Sequence, residues 1–108
     1  MSAIGYVTRN AETGLYKGQI RTLSIRTDIE IVPNRGKSSP EHPDFRVFAG
    51  AVELGAGWIR TGERSGKDYV SLAIAAPEFG PRRLYVNLGR AADQDDDEVF
   101  ALIWNPVD

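Results

Sequence analysis

The chain has no cysteine and only one histidine among its 108 residues. Without a thiol it has no disulfide framework, no thiolate metal site and no cysteine nucleophile. The single imidazole, His42, lies between Pro40 and Pro43 in a stretch predicted to be a loop. A general base must be held by packing within reach of its target, so His42 is a poor candidate for catalysis. We therefore predict a protein that is not an enzyme and has no catalytic residue, metal or cofactor.

Long hydrophobic runs are also missing from the sequence. Even the least polar stretch, 47–59, is interrupted by Glu53 and several glycines, and a spanning helix needs about 18 consecutive apolar residues. The first nine residues lack the basic and then apolar order of a secretory signal. These features predict a cytoplasmic protein that does not cross a membrane.

Helical periodicity is absent, whereas alternation with a period of two is present. The clearest example is Leu23 to Ile31, which reads as a half-buried strand. Ile20 has the opposite parity to Leu23, so a single strand that contained both would need a bulge near Arg21 or Thr22. The other extended stretches are 4–9, 15–20, 44–61, 69–75, 83–88 and 99–104.

These runs predict one all-β domain over 1–108, with about six to seven mostly antiparallel strands in a small barrel or a two-sheet sandwich. The stretch from Asp44 to Thr61 is either one bent strand or a hairpin, and its glycines near 55–57 favour a barrel. Shared parity predicts a core of Ile20, Leu23, Ile25, Ile29, Ile31, Phe48, Val52, Leu54, Trp58, Val70, Leu72, Ile74, Leu84, Val86, Leu88, Leu102 and Trp104.

Two loops stand out by composition. The stretch 33–43 holds three prolines and reads as a surface loop, and 93–98 is an acidic loop. Asp93, Asp95 and Asp97 match the first acidic positions of a calcium-binding EF-hand loop. The pattern then fails, because Glu98 stands where glycine is required and Trp104 where a bidentate glutamate is required. A solvated acidic loop is the better interpretation.

Charge is unevenly distributed along the chain. Residues 1–92 carry 13 basic against 9 acidic side chains, a balance of +4, and residues 93–108 carry 6 acids and no base, a balance of −6. Several cations stand beside aromatic residues in the predicted strands, and single-stranded nucleic-acid binders combine these two residue types on one face. The tentative nucleic-acid-binding residues are Arg46, Arg60, Lys67, Arg82, Arg83 and Tyr85.

The chain resembles a bacterial family known as domain of unknown function 736. The resemblance implies a small protein carried on plasmids and integrative conjugative elements of proteobacteria, with no catalytic residue to transfer. It extends over nearly the whole chain. The stretches that carry it are 4–5, 18–23, 44–50, 53–58, 66–72, 85–88 and 102–104.

Two hypotheses follow for the function. The favoured one is an accessory protein of a mobile genetic element that acts as a protein–protein interaction module with an unidentified partner. The alternative is a protein that binds single-stranded DNA through its basic and aromatic face. A homo-oligomer is compatible with either, since strand edges can pair between chains.

Overall fold

The computed structural model describes residues 3–36, 38–62, 66–77, 80–90 and 98–105. It confirms an all-β protein. The described residues form eight strands: β1 (Ala3–Arg9), β2 (Tyr16–Arg21), β3 (Arg26–Pro33), β4 (Phe45–Ala49), β5 (Val52–Thr61), β6 (Asp68–Ile74), β7 (Leu84–Arg90) and β8 (Val99–Trp104).

Each strand pairs antiparallel with the next along the chain, and β8 pairs with β1. The sheet is therefore a closed barrel and not a sandwich. The strand count is slightly higher than predicted, because the stretch from Asp44 to Thr61 is a hairpin whose turn lies at Gly50 and Ala51. In the part of the chain that the structure describes, no helix has the length and apolar character needed to cross a membrane.

A tight turn separates β2 from β3, so Ile20 and Leu23 do not belong to the single long strand that would have needed a bulge. The Thr22 amide donates to the Ile25 carbonyl at 2.8 Å, and the Ile25 amide donates to Thr22 Oγ1 at 3.1 Å. Ile20 and Ile29 both point inward from separate strands, so their different parities require no bulge. Leu23 lies at the tip of this turn and is fully exposed, so its assignment to the core was wrong.

The bulge occurs instead in β5. Val47 of β4 pairs with Gly55 and Phe48 pairs with Glu53, which leaves Leu54 as the extra residue. Such a bulge redirects the neighbouring side chains. Leu54 consequently packs against the core, whereas Glu53 lies on the outside of the barrel beside Arg46.

The bulge also explains why the predicted parity failed for the rest of this hairpin. Val47, which was not predicted as core, is completely buried, and its neighbour Phe48 lies outside with Arg46 over its ring. Trp58 is half-buried on the outer surface, and Val52 is 62 % exposed. At the end of β8, Trp104 is 41 % exposed rather than core.

Most of the remaining core prediction is confirmed. Ile25, Leu54, Val70 and Leu84 are half-buried against the core, and the sequence missed Val7, Tyr16, Val47 and Ala101. The predicted residues that are fully buried are Ile20, Ile29, Ile31, Leu72, Ile74, Val86, Leu88 and Leu102.

Two strand glycines allow the sheet to close. A Cβ added at Gly55 would overlap the Ala73 carbonyl, and one added at Gly18 would overlap the Tyr6 carbonyl. Glycine is therefore required at these corners because the neighbouring backbone occupies the space of a side chain. At Gly55, one of the glycines that the sequence linked to a bend, the close approach of the Ala73 backbone explains the absence of a side chain.

The two ends of the barrel differ. At the end where β2 begins, Tyr16 packs edge-on against Phe45 and Phe100, with ring centroids 5.8 and 5.6 Å apart. An ion pair between Arg9 and Glu98 at 3.1 Å lies beside this aromatic plug. We call this the closed end. At the opposite end, where β2 ends, the described residues leave the barrel open.

Candidate binding surfaces

The open end contains a concavity of about 640 Å³, which we call the mouth. This volume lies in the range of small-molecule and peptide side-chain pockets, and barrel mouths are a common location for them. Its floor is apolar because Ile20 closes it from below and Ile25 and Leu54 line its sides. The other lining residues are Ser24, Arg26, Thr27, Ala49, Val52, Glu53, Ala75, Ala76 and Pro77.

Large apolar side chains project at this end of the barrel. Leu23 is fully exposed at the tip of the β2–β3 turn, and Val52 is exposed where β5 begins. Trp104 ends β8 at the same end. Single exposed apolar residues are ordinary on protein surfaces, but several of them around one concavity are typical of an interaction site.

Two arginines flank the β2–β3 turn. Arg21 and Arg26 are direct partners across the ladder, so their side chains lie on the same face of the sheet. Both are exposed, and neither has an ion pair with any residue that the structure describes. Arg26 also lines the mouth. Arg82 and Arg83 lie exposed at the same end, just before β7.

The acids closest to these arginines are already engaged by other partners. Glu53 accepts two hydrogen bonds from the Arg46 guanidinium, at 2.6 and 2.9 Å. These hydrogen bonds lower the pKa of Glu53 and raise that of Arg46. Asp28 accepts a hydrogen bond from the Gln19 side chain at 2.7 Å. Neither carboxylate forms an ion pair with Arg21 or Arg26.

The predicted nucleic-acid residues fall partly on a second surface, the outer face of β4 to β7. The register places Arg46, Ala56, Ala73 and Tyr85 in one row across four neighbouring strands. Strands are about 4.8 Å apart, so this row spans about 14 Å. Tyr85 is 36 % exposed, which confirms that it faces outward.

A shallow groove of about 370 Å³ crosses this face, and we call it the outer groove. Its floor consists of small residues, including Gly55, Ala56, Ala73 and Ala75. Trp58 borders it on one side and Arg83 on the other. The groove therefore brings Arg83 close to the row that contains Arg46 and Tyr85.

The other predicted cations are placed differently. Arg60 stacks on Trp58, with its guanidinium carbon 5.9 Å from the ring centroid. Trp58 itself donates from Nε1 to the Glu41 carbonyl at 3.2 Å, which holds the loop against this face. Lys67 lies just before β6, on the far side of Arg60 from the groove, and Arg82 lies at the open end. The structure thus places one of the six residues, Arg83, in the groove lining, and puts Arg46 and Tyr85 at the ends of the row that crosses this face. The other three lie elsewhere.

The structure also locates His42 and one residue of the acidic loop. His42 is exposed in the loop between β3 and β4, where its Nδ1 lies 3.2 Å from Ser38 Oγ. The acidic loop 93–98 lies outside the described residues except for Glu98, which pairs with Arg9 at the closed end.

The sequence pattern does not predict the mouth. Leu23 and Val52 were assigned to the core, and Arg21 and Arg26 were not selected at all. The local signal for the turn from Thr22 to Ile25 is weak, since Thr22 and Ser24 are its turn-forming residues and it contains no glycine, proline, asparagine or aspartate. The arginine pair becomes visible only when the register of β2 against β3 is known.

These features define a small, closed antiparallel β-barrel with one plugged end and one open, apolar end. The family model described as "Protein of unknown function (DUF736)" matches residues 3–107, and the chain belongs to this family. No curated protein and no solved structure matches it.

Proposed function

We propose that this chain is a non-enzymatic binding module that recognises a protein partner through the mouth. The observation that supports the proposal is the combination of an open apolar concavity with the exposed side chains of Leu23 and Val52 beside it. An accessory role for a mobile genetic element in the bacterial cytoplasm, as the family resemblance implies, is part of the same proposal.

The energetics of the mouth agree with such a role. Exposed Leu23 and Val52 contribute little to folding, because they remain in water in the free protein. A partner that covered them would remove that apolar surface from water, and fully burying a side chain of this size is worth about 1.5–3 kcal/mol. The closed end differs, because its aromatic residues are packed against one another. Its concavity of about 600 Å³ lies beside the β1–β2 turn and is lined by Thr8, Arg9, Asn10, Thr13, Leu15 and Lys17.

Selection of peptides displayed on phage tests this proposal directly. Peptides enriched on the wild-type protein are expected to bind a Leu23→Ser, Val52→Ser double variant at least about tenfold more weakly, since both apolar contacts are lost. A Tyr85→Ser variant is the matched control, because it removes an exposed apolar side chain from the outer groove. Equal binding to the wild type and the mouth variant would exclude the mouth as the binding surface.

Single-stranded DNA binding is the second candidate function, and it is supported by a different observation. Arg83 lines the outer groove, and Arg46 and Tyr85 lie at the two ends of the row that includes its floor residues Ala56 and Ala73. Cations that follow the backbone and aromatic rings that stack on bases are the usual elements of such a site. Arg46 is committed to Glu53, however, so Arg83 and its neighbour Arg82 are the stronger phosphate-binding residues.

A further inference from the structure

We propose that the partner of the mouth is an acidic peptide segment that carries at least one large apolar side chain. This inference rests on the proposed function and adds the chemistry of the partner. It begins from the pairing of Arg21 with Arg26 beside an apolar concavity.

Like charges directly opposite each other in a β-ladder destabilise the sheet. Arg21 and Arg26 occupy such a position at the end of the β2–β3 hairpin. Many proteins relieve this repulsion with a neighbouring carboxylate, but Asp28 and Glu53 are bound to Gln19 and Arg46. The pair therefore presents two guanidinium groups whose hydrogen-bonding capacity is not used by the residues that the structure describes.

Two adjacent guanidinium groups are suited to carboxylates, because each offers a planar fork that binds the two oxygens of one carboxylate. The Leu23 side chain lies between the two arginines in sequence, and the apolar floor of the mouth lies behind the turn. A ligand that satisfies both features carries negative charge beside an apolar group. Arg82 and Arg83 add positive charge at the same end of the barrel, but the strand order puts them across the barrel from the β2–β3 turn.

A peptide fits this surface better than a nucleic acid does. The sides and floor of the mouth are formed by aliphatic residues such as Ile20, Ile25 and Leu54. The described lining residues include no aromatic ring, and Trp104, which ends β8 at the same end of the barrel, is not among them. Stacking platforms are the main source of affinity for single strands besides charge. The mouth favours an apolar side chain, and the two arginines favour carboxylates. A peptide segment in which glutamate or aspartate flanks leucine provides both.

The test is fluorescence anisotropy with three labelled synthetic peptides of equal length. One has glutamates flanking two leucines, the second replaces the leucines by serine, and the third replaces the glutamates by lysine. The wild-type protein is expected to bind the first peptide at least about tenfold more tightly than either of the others. Raising the salt concentration is expected to weaken this binding, because the arginines are exposed.

Variants of the protein locate the charge effect. An Arg21→Gln, Arg26→Gln double variant is expected to bind the first peptide about fivefold more weakly, in line with the loss of two exposed ion pairs. A Lys17→Gln, Arg35→Gln double variant removes the same charge from the closed end and is expected to change binding less than about twofold. Unchanged melting temperatures confirm that both variants are folded.

The outcomes separate this inference from the proposed function. If the lysine peptide binds as tightly as the glutamate peptide, the mouth recognises apolar groups without charge selection; the inference then fails and the proposed function stands. If neither leucine peptide binds, both fail. If the closed-end variant loses as much affinity as the Arg21 and Arg26 variant, binding reflects overall charge and the inference fails. It also fails if oligothymidylate displaces the glutamate peptide, because the arginines then form a phosphate site.

Discussion

Arg21 and Arg26 face each other across the β2–β3 ladder, and neither has an acidic partner among the described residues. A like-charge pair in this position costs stability, and it stands next to the mouth. The unfavourable pairing of Arg21 with Arg26 therefore lies beside the surface that we propose for binding.

The first prediction concerns the stability of this hairpin. An Arg21→Gln substitution is expected to leave the free energy of unfolding unchanged or raise it by about 0.2–0.5 kcal/mol, since it removes cross-strand repulsion. Urea denaturation at low salt measures the effect, which should shrink as salt screens the repulsion. A clear loss of stability would mean that Arg21 has a structural role.

Trp58 and Ile31 are predicted to differ in their contribution to stability. Ile31→Ala should cost about 3–4 kcal/mol, because the side chain is fully buried inside the barrel. Trp58→Ala should cost only about 1–2 kcal/mol, since that residue is half-buried outside and contributes one hydrogen bond and one cation–π contact. Equal losses in urea denaturation would place Trp58 in the core.

Ile31 and Trp58 also show which parts of the core could and could not be predicted from the sequence. Ile29 and Ile31 were correctly placed because alternation in a half-buried strand is a local property. Trp58 was misplaced because the bulge at Leu54 reverses the parity of β5, and that bulge depends on pairing with β4. The mouth was missed for a similar reason, since it depends on the weakly signalled β2–β3 turn and on barrel closure, which brings distant loops together.

Gly55 is predicted to be intolerant of any side chain. Gly55→Ala should destabilise the barrel by about 2–3 kcal/mol, because the added Cβ overlaps the Ala73 carbonyl and the strands must separate. Gly36→Ala is the control: the nearest atom to its added Cβ is Asn34 Oδ1 at 3.6 Å, which is ordinary contact. Thermal unfolding of the two variants makes the comparison. Similar melting temperatures would contradict the proposed role of Gly55 in closing the sheet.

Tyr16 is predicted to make stability sensitive to alkaline pH. Burial raises the pKa of Tyr16 above its usual 10.0; Arg9 opposes this shift, and Glu98 adds to it. The unfolded chain therefore loses this proton at a lower pH than the folded protein, so stability falls as pH rises above about 10. Tyr16→Phe should remove this part of the pH dependence. Denaturation midpoints of both proteins at about pH 9 and about pH 11 test the expectation, and parallel curves would contradict it.

Single-stranded DNA binding, if present, is predicted to depend on Arg82, Arg83 and Tyr85. An Arg82→Ala, Arg83→Ala double variant should reduce the slope of log affinity against log salt by up to about 1.4, at about 0.7 per phosphate contact. Tyr85→Ala should lower affinity without changing that slope, since stacking releases few counterions. A gel-shift series with a single-stranded oligonucleotide measures both. Absence of any shift at low salt and micromolar protein would exclude this second function.

The most direct test of the mouth as the binding surface is a nuclear magnetic resonance titration of the labelled protein with the glutamate–leucine peptide. Binding at the mouth predicts amide shift changes concentrated in 22–27, 49–54 and 75–77, the segments that form its lining. Shifts confined to Ala56, Ala73 and Tyr85 would place the peptide in the outer groove. That result, or the absence of shifts at high peptide concentration, would contradict the proposal.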